Sequence, residues 1–364
     1  EWWPRLVAPL FGLGTMVMTG RLAETLWPNR ADVAGTAPLL MFGALFWTVF
    51  TTLTMFDMML AFFTVAALIN LVTAARTGSL RWLVLAGLMI GIGLLAKGPA
   101  ILLHYLPVAL TAPMWVPHLM DRNSLVSWVW PKWYGGVILS VACAMAVGLI
   151  WAVPAGLAGG EAYRNAIFWV QSADRVVNSF AHARPFWWYA AILPGLMLPW
   201  FIWPPIWRRA RTLWTTGLDG AQRLCLIWFG SAFFVFSLVS GKQLHYLLPE
   251  FPALALLASS ALGGAADQVR RFDSWLPGGF FVLFGLVLAV VPLMPLSGRV
   301  AETLAEADTL WALVLVAAGM YHDIDFARQE ILKLLLELPN VRTRVASDFH
   351  DLEAIQNSDF LITY

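Results

Sequence analysis

Residues 57–100 read DMMLAFFTVAALINLVTAARTGSLRWLVLAGLMIGIGLLAKGPA. The stretch contains two apolar runs, at 58–75 and 82–96, separated by a short loop that carries Arg76 and Arg81. A helix needs about 20 predominantly apolar residues to cross a bilayer. The stretch therefore predicts two membrane-spanning helices joined by a tight turn, the second of them short.

The rest of the chain continues this apolar character. Of its 364 residues, 60% are hydrophobic and only 12% are charged, whereas soluble chains carry about 25% charged residues. The composition predicts an all-α polytopic membrane protein. Two longer polar interruptions fall at 117–133 and 156–184. Further spanning runs are expected at 6–23, 33–53, 99–116, 134–154, 185–207, 222–240, 246–264 and 275–296.

The distribution of Lys and Arg predicts the orientation, because short cytoplasmic loops are enriched in these residues. If the loop with Arg76 and Arg81 is cytoplasmic, alternation assigns every other loop. The inner set is the larger: Arg21, Arg30, Arg76, Arg81, Arg122, Lys132, Arg208, Arg209, Arg211, Arg223, Arg270 and Arg271. The outer set is Lys97, Arg164, Arg175, Arg184, Lys242 and Arg299, besides Arg5 near the start.

Charge and cysteine content exclude several classes of protein. A net charge of +1 leaves no basic stripe for a nucleic acid. The two cysteines, Cys143 and Cys225, lie inside apolar runs and are expected to be small buried hydrophobic residues. No disulfide framework or zinc-ligand spacing is present in the sequence.

Three cations on the predicted outer face, Lys97, Arg184 and Lys242, each stand just before a predicted helix start. A helix N-terminus carries a partial positive charge, so a cation there is unfavourable. It becomes favourable if an anion binds between backbone N–H groups and cations together. The pattern predicts a phosphate or pyrophosphate site. The alternative is that each side chain only extends to the lipid headgroups.

Asp57 stands between the apolar runs at 33–53 and 58–75, at the outer end of the run at 58–75. A carboxylate at this depth is costly and is a functional candidate by default. It could act as a base, a metal ligand or the partner of an outer cation. The alternative is a helix N-cap aspartate.

The outer loop at 156–184 brings together further polar residues beside aromatic ones. It contains Glu161, Arg164, Asp174, Arg175, His182 and Arg184. The neighbouring aromatic residues are typical of an interfacial belt. His245 and Tyr246 could donate hydrogen bonds to a phosphate or a sugar, and His104 is expected to be a hydrogen-bonded packing residue. A divalent metal shared by Asp57 and Glu161 is left open.

Four stretches, in this order and spacing, resemble the family 39 glycosyltransferases of the GT-C fold. That group includes protein O-mannosyltransferases and lipid A aminoarabinose transferases, and the resemblance covers about residues 1–300. The stretches are TMFDMMLAFF at 54–63, GLLAKGP at 93–99, FAHARPFWWY at 180–189 and SGKQLHYLLP at 240–249.

The resemblance implies transfer of a sugar from a polyprenyl-phosphate-linked donor to a lipid or protein acceptor. The enzyme would be a multi-pass protein of a bacterial inner membrane with its active face in the periplasm. Asp57 would be catalytic, and His182 and Glu161 are further candidates. The expected donor-phosphate residues are Lys97, Arg175, Arg184, Lys242, His245 and Tyr246.

Two departures from that family lead to further expectations. Its first outer loop, which carries an acidic residue implicated in catalysis, would precede the present residue 1, so the resemblance implies an N-terminally truncated chain, and whether this chain is active is left open. The aminoarabinose branch has a metal-holding histidine before the equivalent of Arg175, where this chain has Val170, Gln171 and Ser172. No cofactor is therefore certain, although a divalent metal is possible.

The last part of the chain is of another kind. Residues 311–364 are soluble in character and predict the opening of an α/β fold, with strands at 311–318, 341–345 and 359–364 and a helix at 326–338. The stretches GMYHDIDFAR and FLITY are similar to the trehalose-utilisation (ThuA-like) family. The predicted domains are thus 1–300 and an incomplete 311–364, joined inside an apolar run as in a chimeric reading frame.

The leading alternative function is a transporter or flippase of a phosphorylated lipid, with the outer cations as its gate. A non-catalytic membrane scaffold is a third possibility. Transporters usually place charged residues near the midplane and have halves of similar pattern. Neither feature is seen in this sequence, which favours the enzyme.

Overall fold

The structure is a computed structural model. It describes residues 3–119, 129–165, 184–262, 273 and 275–290. The chain divides into two compact units, one of residues 1–52 and 56–291 and the other of residues 53–55 and 292–364. The α/β fragment expected at 311–364, with its ThuA-like resemblance, lies outside the described residues. The predicted domain boundaries therefore stay predictions, and the first unit is described below.

Every regular element in the described part of the chain is a helix, as the composition predicts. Short 3-10 helices occur at Trp3–Leu6, Trp200–Ile202 and Leu244–Glu250. The α-helices are α1 (Val7–Leu26), α2 (Ala31–Phe42), α3 (Leu45–Thr51), α4 (Asp57–Thr77), α5 (Leu80–Lys97), α6 (Ala100–Leu110), α7 (Ala112–Leu119), α8 (Trp130–Ala158), α9 (Gly160–Asn165), α10 (Trp188–Leu196), α11 (Pro204–Thr216), α12 (Gly220–Leu238), α13 (Phe251–Leu262) and α14 (Trp275–Val290).

Most of the predicted spans are confirmed. Among the described residues, α4, α5, α8 and α12 are long and apolar enough to cross a membrane, and so is the helical stretch Pro4–Leu26. Two further spans are possible as bent pairs, α2 with α3 at 68° and α6 with α7 at 61°. These pairs correspond to the runs predicted at 33–53 and 99–116.

Two of the predicted spans are wrong as continuous helices. The run at 185–207 divides into α10, a 3-10 turn and the start of the amphipathic helix α11. The run at 246–264 begins as a 3-10 helix, and its α-helical part, α13, starts only at Phe251. Prolines in both runs remove backbone donors and interrupt the regular pattern.

Helix α4 is central to the bundle. It packs against α1 on one side and α5 on the other, and α5 packs in turn on α8. In α4, 72% of the spanning window is buried, compared with 39% or less in the other long helices. The Asp57 carboxylate at the start of α4 is therefore surrounded by protein.

Hydrogen bonds bring together, at one end of the bundle, three of the connections that the sequence assigns to the same side of the membrane. Arg76 Nε donates to Thr25 O at 2.6 Å, which joins the end of α4 to the end of α1. Trp27 Nε1 donates to Asp219 Oδ2 at 2.8 Å, which joins the end of α1 to the start of α12. We call this end of the bundle the Arg76 face and the opposite end the Lys97 face. Which of them is cytoplasmic stays a prediction.

Two glycines on α5 allow the close approach of α8. A Cβ at Gly87 would lie 2.9 Å from the Cα of Ser140, and one at Gly91 would lie 2.6 Å from the Cβ of Val147. These distances are shorter than the roughly 3.5 Å at which carbon atoms make contact. The Gly-x-x-x-Gly spacing is a known basis for close helix packing in membranes.

We predict that Gly87→Ala separates α5 from α8 and lowers the free energy of unfolding by about 1–3 kcal/mol, as overpacking does. The matched control is Gly135→Ala on α8, because a Cβ there would have nothing within 4 Å. This control should be neutral or stabilising by up to about 1 kcal/mol, since Ala is the better helix former. Unfolding in detergent micelles measures both. Equal effects would contradict the packing argument.

Candidate functional site

Asp57 is the first residue of α4, and its carboxylate contacts the ammonium of Lys97 as an ion pair. The N-cap of α4 is Phe56, and no side chain caps this helix end. The N-cap alternative for Asp57 is therefore wrong. The carboxylate still benefits from its position, because the N-terminal end of a helix stabilises a negative charge.

Lys97 is the last residue of α5 and also stands three residues before the start of α6, as the sequence predicts. A cation at a helix C-terminus is favoured by the helix dipole, so its position alone does not require an anion. Gly98 ends the helix with φ +65° and ψ −156°, a conformation open essentially only to glycine. The Lys97 side chain keeps 24% of its surface exposed, whereas that of Asp57 keeps 2%.

Tyr246 completes the cluster from a distant part of the chain. It lies in the 3-10 helix Leu244–Glu250, and the Lys97 Nζ is 5.3 Å from the centre of its ring. The ring of His245 meets that of Tyr246 edge to face at 4.9 Å. Three predicted donor-site residues, Lys97, His245 and Tyr246, are thus brought together with Asp57.

Arg184 and Lys242 form a second cluster. Lys242 lies on the segment 239–250, which also carries Tyr246. The ammonium of Lys242 is buried and donates to the carbonyl oxygen of Arg184 at 3.1 Å and to that of Val239. The Arg184 N–H donates in return to the Ser240 carbonyl at 3.1 Å. Burial lowers the pKa of Lys242. The Arg184 guanidinium lies 5.9 Å from the centre of the Trp188 ring.

The remaining candidates are not brought to either cluster by any described contact. Glu161 lies in the short helix α9 and is exposed. Arg175 and His182 lie outside the described residues. In the described ranges, no group of three or more His, Cys, Asp and Glu side chains is arranged to hold a metal ion. A metal shared by Asp57 and Glu161 therefore stays a prediction, as do the phosphate-binding roles.

Comparison with known proteins identifies the architecture. Residues 1–147 match the family of dolichyl-phosphate-mannose-protein mannosyltransferases. The chain is 29% and 30% identical, over 282 residues, to the undecaprenyl phosphate-alpha-4-amino-4-deoxy-L-arabinose arabinosyl transferases of Pectobacterium carotovorum and Pectobacterium atrosepticum. These matches cover 75% of the chain and 48% of each relative. The chain thus spans about half the length of the curated relatives it matches.

The solved structures of ArnT from Cupriavidus metallidurans are similar in fold. The structure bound to undecaprenyl phosphate has a TM-score of 0.63 at 20% identity, and the match covers 92% of this chain and 58% of that one. The apo structure has a TM-score of 0.61. This chain has the GT-C membrane fold. The expected fold class is thereby confirmed.

Within this GT-C fold, the structure shows a buried pair that the sequence analysis missed in part. His104 was expected to be a hydrogen-bonded packing residue, and its Nδ1 contacts the Oε1 of Glu250. Glu250 was not singled out. A signal existed, because each of these residues is an ionisable group in an otherwise apolar run. Either alone is costly there, so their joint presence favours a pair.

We predict that Lys242→Met loosens the Arg184 backbone, because it leaves two carbonyl oxygens without their donor. A hydrogen bond to a charged group is worth about 1.5–3 kcal/mol, so amide hydrogen exchange at Arg184 should become faster by about tenfold or more. Lys132→Met is the control, since Lys132 is exposed at the opposite end of the bundle. Unchanged exchange at Arg184 in Lys242→Met would show that these bonds do not hold the loop.

Proposed function

We propose that this chain acts in the transfer of a sugar from a polyprenyl-phosphate-linked donor to a lipid or protein acceptor at the periplasmic side of a bacterial inner membrane. The observation that carries the proposal is the Asp57–Lys97 ion pair beneath Tyr246. It places a carboxylate and a partly exposed ammonium together at one end of the bundle. Transfer of a sugar from a phosphate can use a base for the acceptor and a cation for the leaving phosphate.

Lys97 suits the leaving group of this reaction. When the bond between the sugar C1 and the phosphate oxygen breaks, its electron pair stays on the phosphate, which leaves as the lipid phosphate anion. Fixed positive charge stabilises such developing charge more strongly in a site of low dielectric than in water. Lys97 is held at a helix end and keeps part of its side chain exposed. Its ammonium can therefore contact a bound phosphate.

Asp57 suits the acceptor. As the acceptor oxygen attacks C1, its proton must pass to a base, and a carboxylate is one of the side-chain groups that can accept it. Asp57 is placed to act as this base, because its carboxylate lies at the start of α4 in contact with the Lys97 ammonium. In this proposal Lys97 stabilises the leaving phosphate, and Asp57 accepts the proton of the acceptor.

Similar proteins support the choice of donor lipid. The names of the Pectobacterium relatives give undecaprenyl phosphate aminoarabinose as their donor, and one ArnT structure holds undecaprenyl phosphate. A donor of this class for the present chain is our proposal. The acceptor is left at the level of a lipid or a protein.

The transporter or flippase reading is less well supported by the geometry. Transporters of alternating-access type place their site near the midplane, between repeats. Asp57 and Lys97 instead lie at the terminal residues of α4 and α5. A sugar-transfer assay in liposomes decides between the two, because lipid movement without formation of a glycosidic bond would favour the transporter.

We expect Lys97→Ala to weaken the binding of undecaprenyl phosphate by about 10- to 100-fold, since it removes a charge-assisted contact worth about 1.5–3 kcal/mol. Arg184→Ala should weaken binding in the same direction. Lys132→Ala, at the Arg76 face, is the matched control for loss of one positive charge. Titration of the purified chain with the lipid phosphate in detergent measures the affinity. Unchanged affinity in both site variants would refute the phosphate site.

We expect Asp57→Asn to reduce turnover by about 10²- to 10⁴-fold, as loss of a general base does, while donor binding is largely kept. Circular dichroism and thermal unfolding confirm that the variant remains folded. Retained turnover in a folded variant would leave Asp57 with an ion-pairing role only.

A further inference from the structure

His104 and Glu250 form an ionisable pair in the interior of the bundle. Both side chains are fully buried, with 0% of their surface exposed. His104 lies on α6 and Glu250 ends the 3-10 helix Leu244–Glu250. The pair therefore joins two elements that are far apart in the sequence.

An imidazole and a carboxyl group in contact have a net charge of zero when they hold one acidic proton between them, whichever of the two carries it. If one member is removed, the other is left as a buried polar group without this partner, which is strongly unfavourable. If both are replaced by apolar side chains of similar size, the cost is often small. The double replacement can therefore test what the pair does without the loss of stability that a single replacement causes.

The two elements joined by the pair supply the two sides of the Lys97 site. Helix α6 begins three residues after Lys97, and the 3-10 helix that ends at Glu250 carries Tyr246. Phe236 lies between the two sides, with its ring centre 5.9 Å from that of His104 and 5.7 Å from that of Tyr246. The pair and the aromatic contacts thus hold the Tyr246 segment against the element that follows Lys97.

We infer that His104 and Glu250 are positioning residues, which hold Tyr246 over the Lys97 ammonium and so set the geometry of the phosphate-binding site. The inference rests on the proposed function for its ligand. The contact between His104 and Glu250 and the aromatic contacts carry its structural part, which can be tested without any ligand.

The test uses the full chain with three sets of changes. Glu250→Gln removes the carboxyl group from the pair at nearly constant shape. The double variant His104→Leu with Glu250→Leu removes the pair without leaving a polar group behind. The exchange variant His104→Glu with Glu250→His restores a pair in the opposite sense. Asp32→Asn, which breaks the exposed Arg30–Asp32 ion pair on α2, is the control.

The first readout is the affinity for undecaprenyl phosphate. In the double-leucine variant, with a thermal midpoint near that of wild type, we expect binding to weaken by about tenfold, because misplacement of a site group by 1 Å can cost more than this. The exchange variant should recover most of the affinity, and Asp32→Asn should retain it. A folded double-leucine variant that binds as tightly as wild type would overturn the inference.

The second readout needs no ligand. Hydrogen exchange of the amides in the 3-10 helix Leu244–Glu250 should become faster in Glu250→Gln and in the double-leucine variant, and slower again in the exchange variant. If wild type does not bind the lipid phosphate but these exchange rates change as expected, the proposed function fails and the positioning of the segment stands. Unchanged exchange rates in both variants would refute the positioning role.

Discussion

The ion pair between Asp57 and Lys97 is the interaction on which the rest of the site depends. It joins the N-terminal end of α4 to the C-terminal end of α5, two neighbouring antiparallel helices. Each charge lies at the helix end whose partial charge is opposite to its own, so both helix dipoles stabilise the pair. This arrangement explains how a carboxylate that is almost fully buried remains acceptable in an apolar bundle.

The 239–250 segment connects this pair to the rest of the Lys97 face. Lys242 binds carbonyl oxygens at one end of the segment, Tyr246 lies over Lys97 in its middle, and Glu250 meets His104 at its other end. Prolines at 249 and 252 keep the segment from becoming a regular spanning helix. The irregular backbone is paired with side chains and is buried in protein, which is how such backbone is accommodated within membranes.

The Arg76 face has a different physical role. There, Trp27 donates to Asp219, which also accepts the N–H of Gln222 and so caps α12. Arg76 binds the terminal carbonyl oxygens of α1. These bonds satisfy helix ends that have no partners within their own helices. Polar residues at the Arg76 face therefore bind helix ends. At the Lys97 face, Asp57 and Tyr246 instead contact the partly exposed ammonium of Lys97.

The sequence by itself determined the class of fold, the long spans and the loops that lie together at the Arg76 face. The length of an apolar run and the charge of a loop are local properties, so both can be read from the sequence. It also singled out Asp57, Lys97 and Tyr246. It left open which outer cation is the partner of Asp57, and it did not show that Glu250 pairs with His104. Those facts depend on contacts between residues 40 to 150 positions apart, which only the packing of the helices decided.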